Sequence, residues 1–119
     1  SMTQPCIFCE IAAGRVDAEI VHQDEWVVAF RDIHPQAPTH VLIIPRKHIV
    51  SMLEIGDDDA PLIGHMHVTA KNLAQTLGLA QRGYRSIFNC GQDAGQTVWH
   101  IHLHLMGGRS MGWPPWPGN

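Results

Sequence analysis

Long apolar runs are missing from this sequence: none approaches the roughly 18 residues that a membrane-spanning helix requires, and no signal peptide stands at its start. The expectation is a soluble, cytoplasmic protein with no membrane partner. Runs of Lys and Arg are missing too, and a net charge of −3 with a pI near 6.3 argues against a nucleic-acid-coating surface. An anionic ligand therefore has to be held by local geometry. Cysteine is scarce and odd in number, three residues, which argues against a secreted disulfide framework. Charged residues are few as well, 16% against 45% hydrophobic, a globular composition. The 119 residues suit one domain with one core, and no repeat or linker divides them. Ser1 before Met2 reads as a scar of tag removal, outside the fold argument.

The pattern along the chain predicts an α+β fold. Residues 6–13 read as a short helix stopped by Gly14. Strands are expected at 18–22 and 26–31, either side of a turn at Gln23-Asp24-Glu25. Pro35 and Pro38 make 32–38 a loop. The apolar run 40–44, ended by Pro45, is expected to be a central strand with His40 at its entrance. Asp57-Asp58-Asp59 and Pro61 mark the start of one long helix. Leu62, Met66, Ala70, Leu73, Ala74 and Leu77 form its apolar stripe, and Gly78 closes it. His65 and His67 lie off that stripe and read as solvated. Strands at 84–90 and 98–106, joined by the glycine-rich 91–96, are expected to pair antiparallel and complete five strands. The tail 107–119 is rich in Trp and Pro, and its tryptophans are expected to pack on the domain or on a partner subunit.

Most of the chemistry lies in His100-Ile101-His102-Leu103-His104-Leu105-Met106, a histidine at every second position with an apolar residue between. That period gives an extended segment one imidazole face and one core face. The outer two histidines would stand about 13 Å apart, too far for one metal ion to take all three. Protonating three neighbouring imidazoles together is costly, so some should stay neutral, as a nucleophile or a ligand must. A polar strand face or an adventitious metal site would use the same residues. The glycines at 91 and 95 allow backbone N–H groups close to an anion, and Thr97 adds a hydroxyl. A neutral imidazole attacks phosphorus and forms a phosphoryl- or nucleotidyl-histidine; the central His102 is the natural candidate.

This row resembles the signature of the histidine triad (HIT) superfamily of nucleotide hydrolases and transferases. Asp32-Ile33-His34-Pro35-Gln36-Ala37-Pro38-Thr39-His40 and Gly107-Gly108-Arg109-Ser110-Met111-Gly112-Trp113-Pro114-Pro115 resemble its Hint branch. The likeness implies a homodimeric α+β domain that binds purine mononucleotides and hydrolyses nucleoside 5′-phosphoramidates, with no cofactor required for the chemistry. By the same likeness His102 would attack the α-phosphorus, with His40, His100, His104 and Thr97 around it. Asp32 would accept the ribose hydroxyls, Phe30 and Ile33 would wall the purine, and Asn89, Gly95 and Gln96 would meet the phosphate. Asp32 would otherwise be a turn residue, and His40 a strand-end histidine. Thr97 stands where the branch commonly has serine, Trp99 is a large version of its usual aromatic, and the tail runs on past Pro115.

Cys6 and Cys9 form a C-x-x-C pair, which closes a tetrahedral zinc site only with two further ligands; His48 and His100 are the available partners. HIT proteins with such a pair hold structural zinc in this way, so the resemblance implies zinc on Cys6, Cys9, His48 and His100. Two inert buried thiols or a redox pair remain the alternatives. Cys90 reads as a strand-end thiol. Other functions fit the same residues. One is a dinucleoside polyphosphate hydrolase or nucleotidyl transferase, another a nucleotide-binding regulatory protein with vestigial catalysis, and a third a small zinc-structured interaction module.

Overall fold

Two periodicities build the fold, a period of two in the strands and a three-and-four spacing in one helix. The computed structural model of the protein describes residues 6–116. Helix α1 (Ile7–Ala12) precedes strands β1 (Ile20–Gln23), β2 (Val27–Arg31) and β3 (Thr39–Pro45). Helix α2 (Ala60–Thr76) follows, then β4 (Tyr84–Phe88) and β5 (Leu103–Gly107). The strands make one sheet in the order β1-β2-β3-β5-β4, with every neighbouring pair antiparallel. This is the predicted α+β architecture. The proposed tag scar at Ser1 and the tail end at 117–119 lie outside the described residues.

Alternation divides the sheet into two faces. Val27, Ala29, Val41, Ile43, Leu103 and Leu105 face α2 and meet its Leu62, Met66, Ala70, Leu73 and Ala74. Their neighbours Val28, Phe30, Leu42 and Ile44 face the other way and are covered by Phe8 and Ile11 of α1. Each Val, Leu, Ile, Phe or Met among them contributes about 1.5–3 kcal/mol on burial. Six residues of α1 are too few to hold a helix by themselves, so its two apolar residues fix it to the sheet. The Cys6 sulfur caps it by accepting the Cys9 N–H at 3.5 Å.

Helix α2 begins after a 3-10 turn at Asp57–Asp59 and ends where Gly78 takes φ +78°. There the Leu79 N–H reaches the Ala74 carbonyl at 2.7 Å, satisfying a carbonyl the helix leaves unpaired.

The histidine row departs from its expected strand. The ladder on β5 begins only at Leu103, so His100, which lies in a bend, and Ile101 and His102 approach it outside the sheet. The Ile101 N–H is held instead by the Ile49 carbonyl at 2.8 Å. β4 likewise ends at Phe88 rather than at 90, leaving Cys90 half-buried beyond the strand. His65 is not simply solvated: its Nε2–H and that of His22 both donate to Asp24 Oδ2, at 2.8 and 2.9 Å. This ties β1 and its turn to α2. His67 stays exposed and sets its ring edge-on to Phe88. Among the described residues the tail tryptophans are largely uncovered, Trp113 being 82% and Trp116 60% exposed. No helix among the described residues is long and apolar enough to cross a membrane.

Candidate active site and metal-binding group

On the face away from α2, β3 and β5 set His40 and His104 within reach of one another, with His102 just before the strand. Hydrogen bonds to backbone fix which nitrogen of each ring carries the hydrogen. His102 Nδ1 lies 2.8 Å from the His100 carbonyl, which can only accept, so Nδ1 donates and Nε2 keeps a free lone pair. His100 Nε2 lies 2.8 Å from the Pro45 carbonyl, so in that ring Nδ1 has the lone pair. His40 Nδ1 accepts the Gln36 N–H at 3.0 Å, leaving Nε2–H to donate to His104 Nδ1 at 2.8 Å. His104 therefore presents Nε2–H. The Asn89 amide stands 3.5 Å from that nitrogen, and its oxygen is the end that suits the hydrogen.

All four rings resist protonation. Burial pushes His104 down to about 4, helped by repulsion from His102 and His40 and opposed by Asp32. Burial also pushes His100 down to about 4, opposed by its bond to the Pro45 carbonyl and helped by His48 and His102. His40 and His102 are lowered by burial as well, with the Asp32 charge opposing in both. At neutral pH the row is a set of neutral imidazoles with defined donors and lone pairs.

A cavity of about 400 Å³ opens beside them. His102, His104, Thr97, Asp32, Ile33 and Phe30 line it, so six residues singled out in the sequence meet around one space. Its walls are otherwise largely apolar, while Asp32 sits at the rim with its Oδ1 accepting the His34 N–H at 2.8 Å. Phe8 had no signal in the sequence beyond its place inside the C-x-x-C. Its ring nevertheless stands edge-on to His102 at 5.1 Å and to Phe30 at 5.6 Å, and lines the cavity. Ile33 is 85% exposed, so it offers its side chain only as one rim of that space.

The glycine-rich turn differs from its expected part. Gly95 and Gln96 do not line the cavity, and their N–H groups are spent within the turn on the Gln92 and Gly91 carbonyls. Gly91 N–H goes to Gln96 Oε1, and the Gln96 amide donates to the Val50 and Val98 carbonyls. Gln96 is thus a buried brace of the turn; Asn89 does not line the cavity either, and of the residues expected around the phosphate Thr97, His102 and His104 do.

His100 faces a second cluster. Its Nδ1 lies 3.3 Å from Cys6 Sγ, 3.6 Å from Cys9 Sγ and 3.1 Å from His48 Nδ1, while Cys9 Sγ is 3.4 Å from His48 Nδ1. Two sulfurs and two ring nitrogens converge, with lone pairs rather than hydrogens as their natural common feature. A tetrahedral ion with two thiolate and two imidazole ligands separates its ligand atoms by about 3.3–3.8 Å, so this donor set fits zinc with little movement. Burial, with Cys6 beside it, pushes the Cys9 thiol up to about 11, and a bound cation would offset that cost. A second trio, Asp32, His40 and His104, also falls within ligand distance, but its His40–His104 hydrogen bond already satisfies the facing nitrogens.

Known proteins resemble this one over most of its length. The sequence profile described as "Scavenger mRNA decapping enzyme C-term binding" matches residues 5–113. A protein of Escherichia coli strain K12 named purine nucleoside phosphoramidase is 43% identical over 111 residues, 93% of each chain. The crystal structure of a HIT family hydrolase from Legionella pneumophila superposes with a TM-score of 0.93 at 53% identity, covering 94% of this chain and all of the other. A zinc-bound histidine triad family protein from Mycobacterium smegmatis does so with a TM-score of 0.79 at 29% identity, covering 98% of this chain and 85% of that one. Fold, histidine row and kinship agree: the chain belongs to the histidine triad (HIT) family of hydrolases.

Proposed function

We propose that this protein hydrolyses purine nucleoside 5′-phosphoramidates at the P–N bond through a nucleotidyl-histidine on His102. The observation that carries the reading is the 2.8 Å bond from His102 Nδ1–H to the His100 carbonyl, which leaves Nε2 as a free lone pair beside the cavity. In the first step Nε2 bonds to the α-phosphorus. The P–N bond breaks with its electron pair going to nitrogen, which departs as the amine with a proton from solvent past the exposed Thr97. The ring then carries positive charge, stabilised by the His100 carbonyl and by the Asp32 carboxylate. In the second step water attacks phosphorus, the bond to His102 breaks, one proton returns to solvent and AMP is released. His104 Nε2–H, kept in place by His40, supplies a hydrogen bond to the phosphoryl oxygens, with Asn89 and Thr97 beside it. Asp32 takes the ribose hydroxyls, and Phe30, Phe8 and Ile33 bound the base.

His102→Ala should abolish release of AMP from adenosine 5′-phosphoramidate while AMP still binds in calorimetry. Hydrolysis that persists in that variant would overturn the mechanism.

Zinc is proposed on Cys6, Cys9, His48 and His100, a closed set that would pin α1 to the end of β3 and to the histidine row. Its contribution there is structural, since all four positions are filled by protein. Elemental analysis should find about one zinc per chain, falling in Cys6→Ser; unchanged content would refute the ligand set. A homodimer is the state that best accounts for two uncovered tail tryptophans and the open edge of β4, and sedimentation tests it.

A further inference from the structure

Helix α1 takes part in both groups described above. Ile7, Phe8 and Ile11, three of its six residues, line the nucleotide cavity. Cys6, which caps it, and Cys9, within it, supply the sulfurs of the four-ligand group. None of Cys6, Cys9, His48 and His100 lines the cavity, so the two groups are separate sites that share one helix. Phe8 touches both, with its ring edge-on to His100 at 5.9 Å and to His102 at 5.1 Å.

Little else holds this helix. Six residues do not persist as a helix on their own. Burial of Phe8 and Ile11 against Val28, Phe30, Leu42 and Ile44 has to offset the entropy of ordering the segment, and the two terms are of similar size. Among the described residues one side chain from outside reaches its backbone, Arg46, whose Nη1 donates to the Ala12 carbonyl at 2.8 Å at the exposed surface. The other tether is the convergence of Cys6 and Cys9 on His48 and His100, at 3.3–3.6 Å. Without a cation that convergence is a poor one, because the His100 Nδ1 lone pair faces the His48 Nδ1 at 3.1 Å with two sulfurs crowding the same space. A shared thiophilic cation replaces the crowding of donors by four attractive bonds and closes that end of α1 onto the sheet.

We propose that the group of Cys6, Cys9, His48 and His100 is an allosteric site for the nucleotide cavity: a zinc-class cation bound there tightens purine nucleotide, and nucleotide tightens the cation, because both select the docked position of α1. The proposal rests on the nucleotide and zinc readings above. Since one state of the helix serves both ligands, each raises the affinity of the other by the same factor. A metal-free chain with α1 docked about a tenth of the time gives a factor of about ten, within the range such couplings take. His48 is exposed, so the cation can exchange with solvent while the cavity is filled.

The test reads binding at both sites. Calorimetry of AMP should give about tenfold weaker binding to metal-free protein, kept reduced, than to zinc-loaded protein. Zinc affinity, read by competition with a chromophoric chelator and corrected for zinc held by free AMP, should rise by the same factor when AMP is saturating. Arg46→Gln removes the other tether without touching either site. It should leave AMP binding to the loaded protein within about twofold of wild type and widen the loaded-to-free ratio by about threefold. Hydrogen exchange should quicken on metal removal at the amides of α1 and not at those of α2, with AMP restoring the protection. Equal AMP affinity with and without zinc overturns the proposal, and so does a ratio that Arg46→Gln leaves unchanged. Loss of protection in α2 together with α1 would make the metal a requirement of the whole fold and overturn it too. If zinc-loaded protein binds no AMP, the nucleotide reading falls and takes the proposal with it; AMP binding that ignores zinc leaves that reading standing and removes the coupling alone.

Discussion

Acid should weaken this fold through His104 in a way that can be isolated. Buried beside His102 and His40, that ring holds its proton only below about 4, against an ordinary 6.5 in the unfolded chain. Between those values the unfolded chain binds a proton that the folded chain refuses. The stability that depends on a neutral His104 is therefore fully present above about pH 6.5, lost as pH falls toward about 4, and level below. Integrating over the step from about pH 7 to about pH 5 gives a loss of about 2 kcal/mol for this one group. With a urea m-value of about 1–3 kcal/mol/M, the unfolding midpoint of wild type should fall by about 1 M from His104 alone. His104→Gln keeps an oxygen to accept the His40 Nε2–H but cannot titrate. Its midpoint should fall less over the same pH step, by an amount worth about 2 kcal/mol. His40, His100 and His102 titrate in both proteins, so the difference between the two slopes belongs to His104 together with its coupling to His40 and His102. Equal slopes, measured at equal metal content, would refute the argument.

Three further outcomes are expected. Asp24 resists protonation: burial works against its charge, but bonds from His22 and His65 and from the Trp26 and Val27 N–H groups outweigh it. Both histidines donate to its Oδ2 and both N–H groups to its Oδ1, so Asp24→Asn, with one acceptor oxygen, loses one pair or the other; it should cost about 2 kcal/mol and lower Tm by about 6–8 °C, a shift under about 2 °C counting against the tie. Gly108 sits at φ +95° with the position of an added Cβ 2.9 Å from the Pro38 Cβ, so Gly108→Ala should destabilise by about 2–4 kcal/mol in urea unfolding. If the Thr97 hydroxyl meets the phosphate, Thr97→Ser should keep kcat/KM within about threefold and Thr97→Val should lower it by about tenfold, and equal rates would remove Thr97 from the site.

Strands β2 and β3 were legible as compact apolar runs bounded by a turn, a loop and Pro45, and α2 by its three-and-four stripe. The limits of β5 were not. The alternation of histidine and apolar residue runs unbroken from His100 to Met106, so nothing in it marks that His100 and His102 lie outside the ladder. Only the partners across the sheet decide where a ladder begins, and those lie dozens of residues away. The bonds from His22 and His65 to Asp24 were hidden for the same reason, since 41 residues separate Asp24 from His65. Phe8 gave no sign of touching His102, because a buried phenylalanine in a short helix looks alike whatever it covers.

What divides the histidine row is finer than spacing. The rings of His100 and His102 both stand edge-on to Phe8, and composition offers no reason why one should face sulfur and the other a cavity. The backbone carbonyls supply the reason. Pro45 takes the Nε2 hydrogen of His100, freeing Nδ1 toward Cys6, Cys9 and His48, while the His100 carbonyl takes the Nδ1 hydrogen of His102, freeing Nε2 toward the cavity. The two rings are opposite tautomers because their acceptors sit at opposite edges. His104 completes the series differently. Its Nδ1 is filled by His40, whose own Nδ1 is filled by Gln36, so the loop 32–38 that carries Asp32 also sets the hydrogen that His104 presents. A lone pair on His102 and a donor on His104, adjacent and both neutral, are the two different things an attack on phosphorus requires. Three identical residues deliver them only because two backbone carbonyls and the His40 side chain hold them.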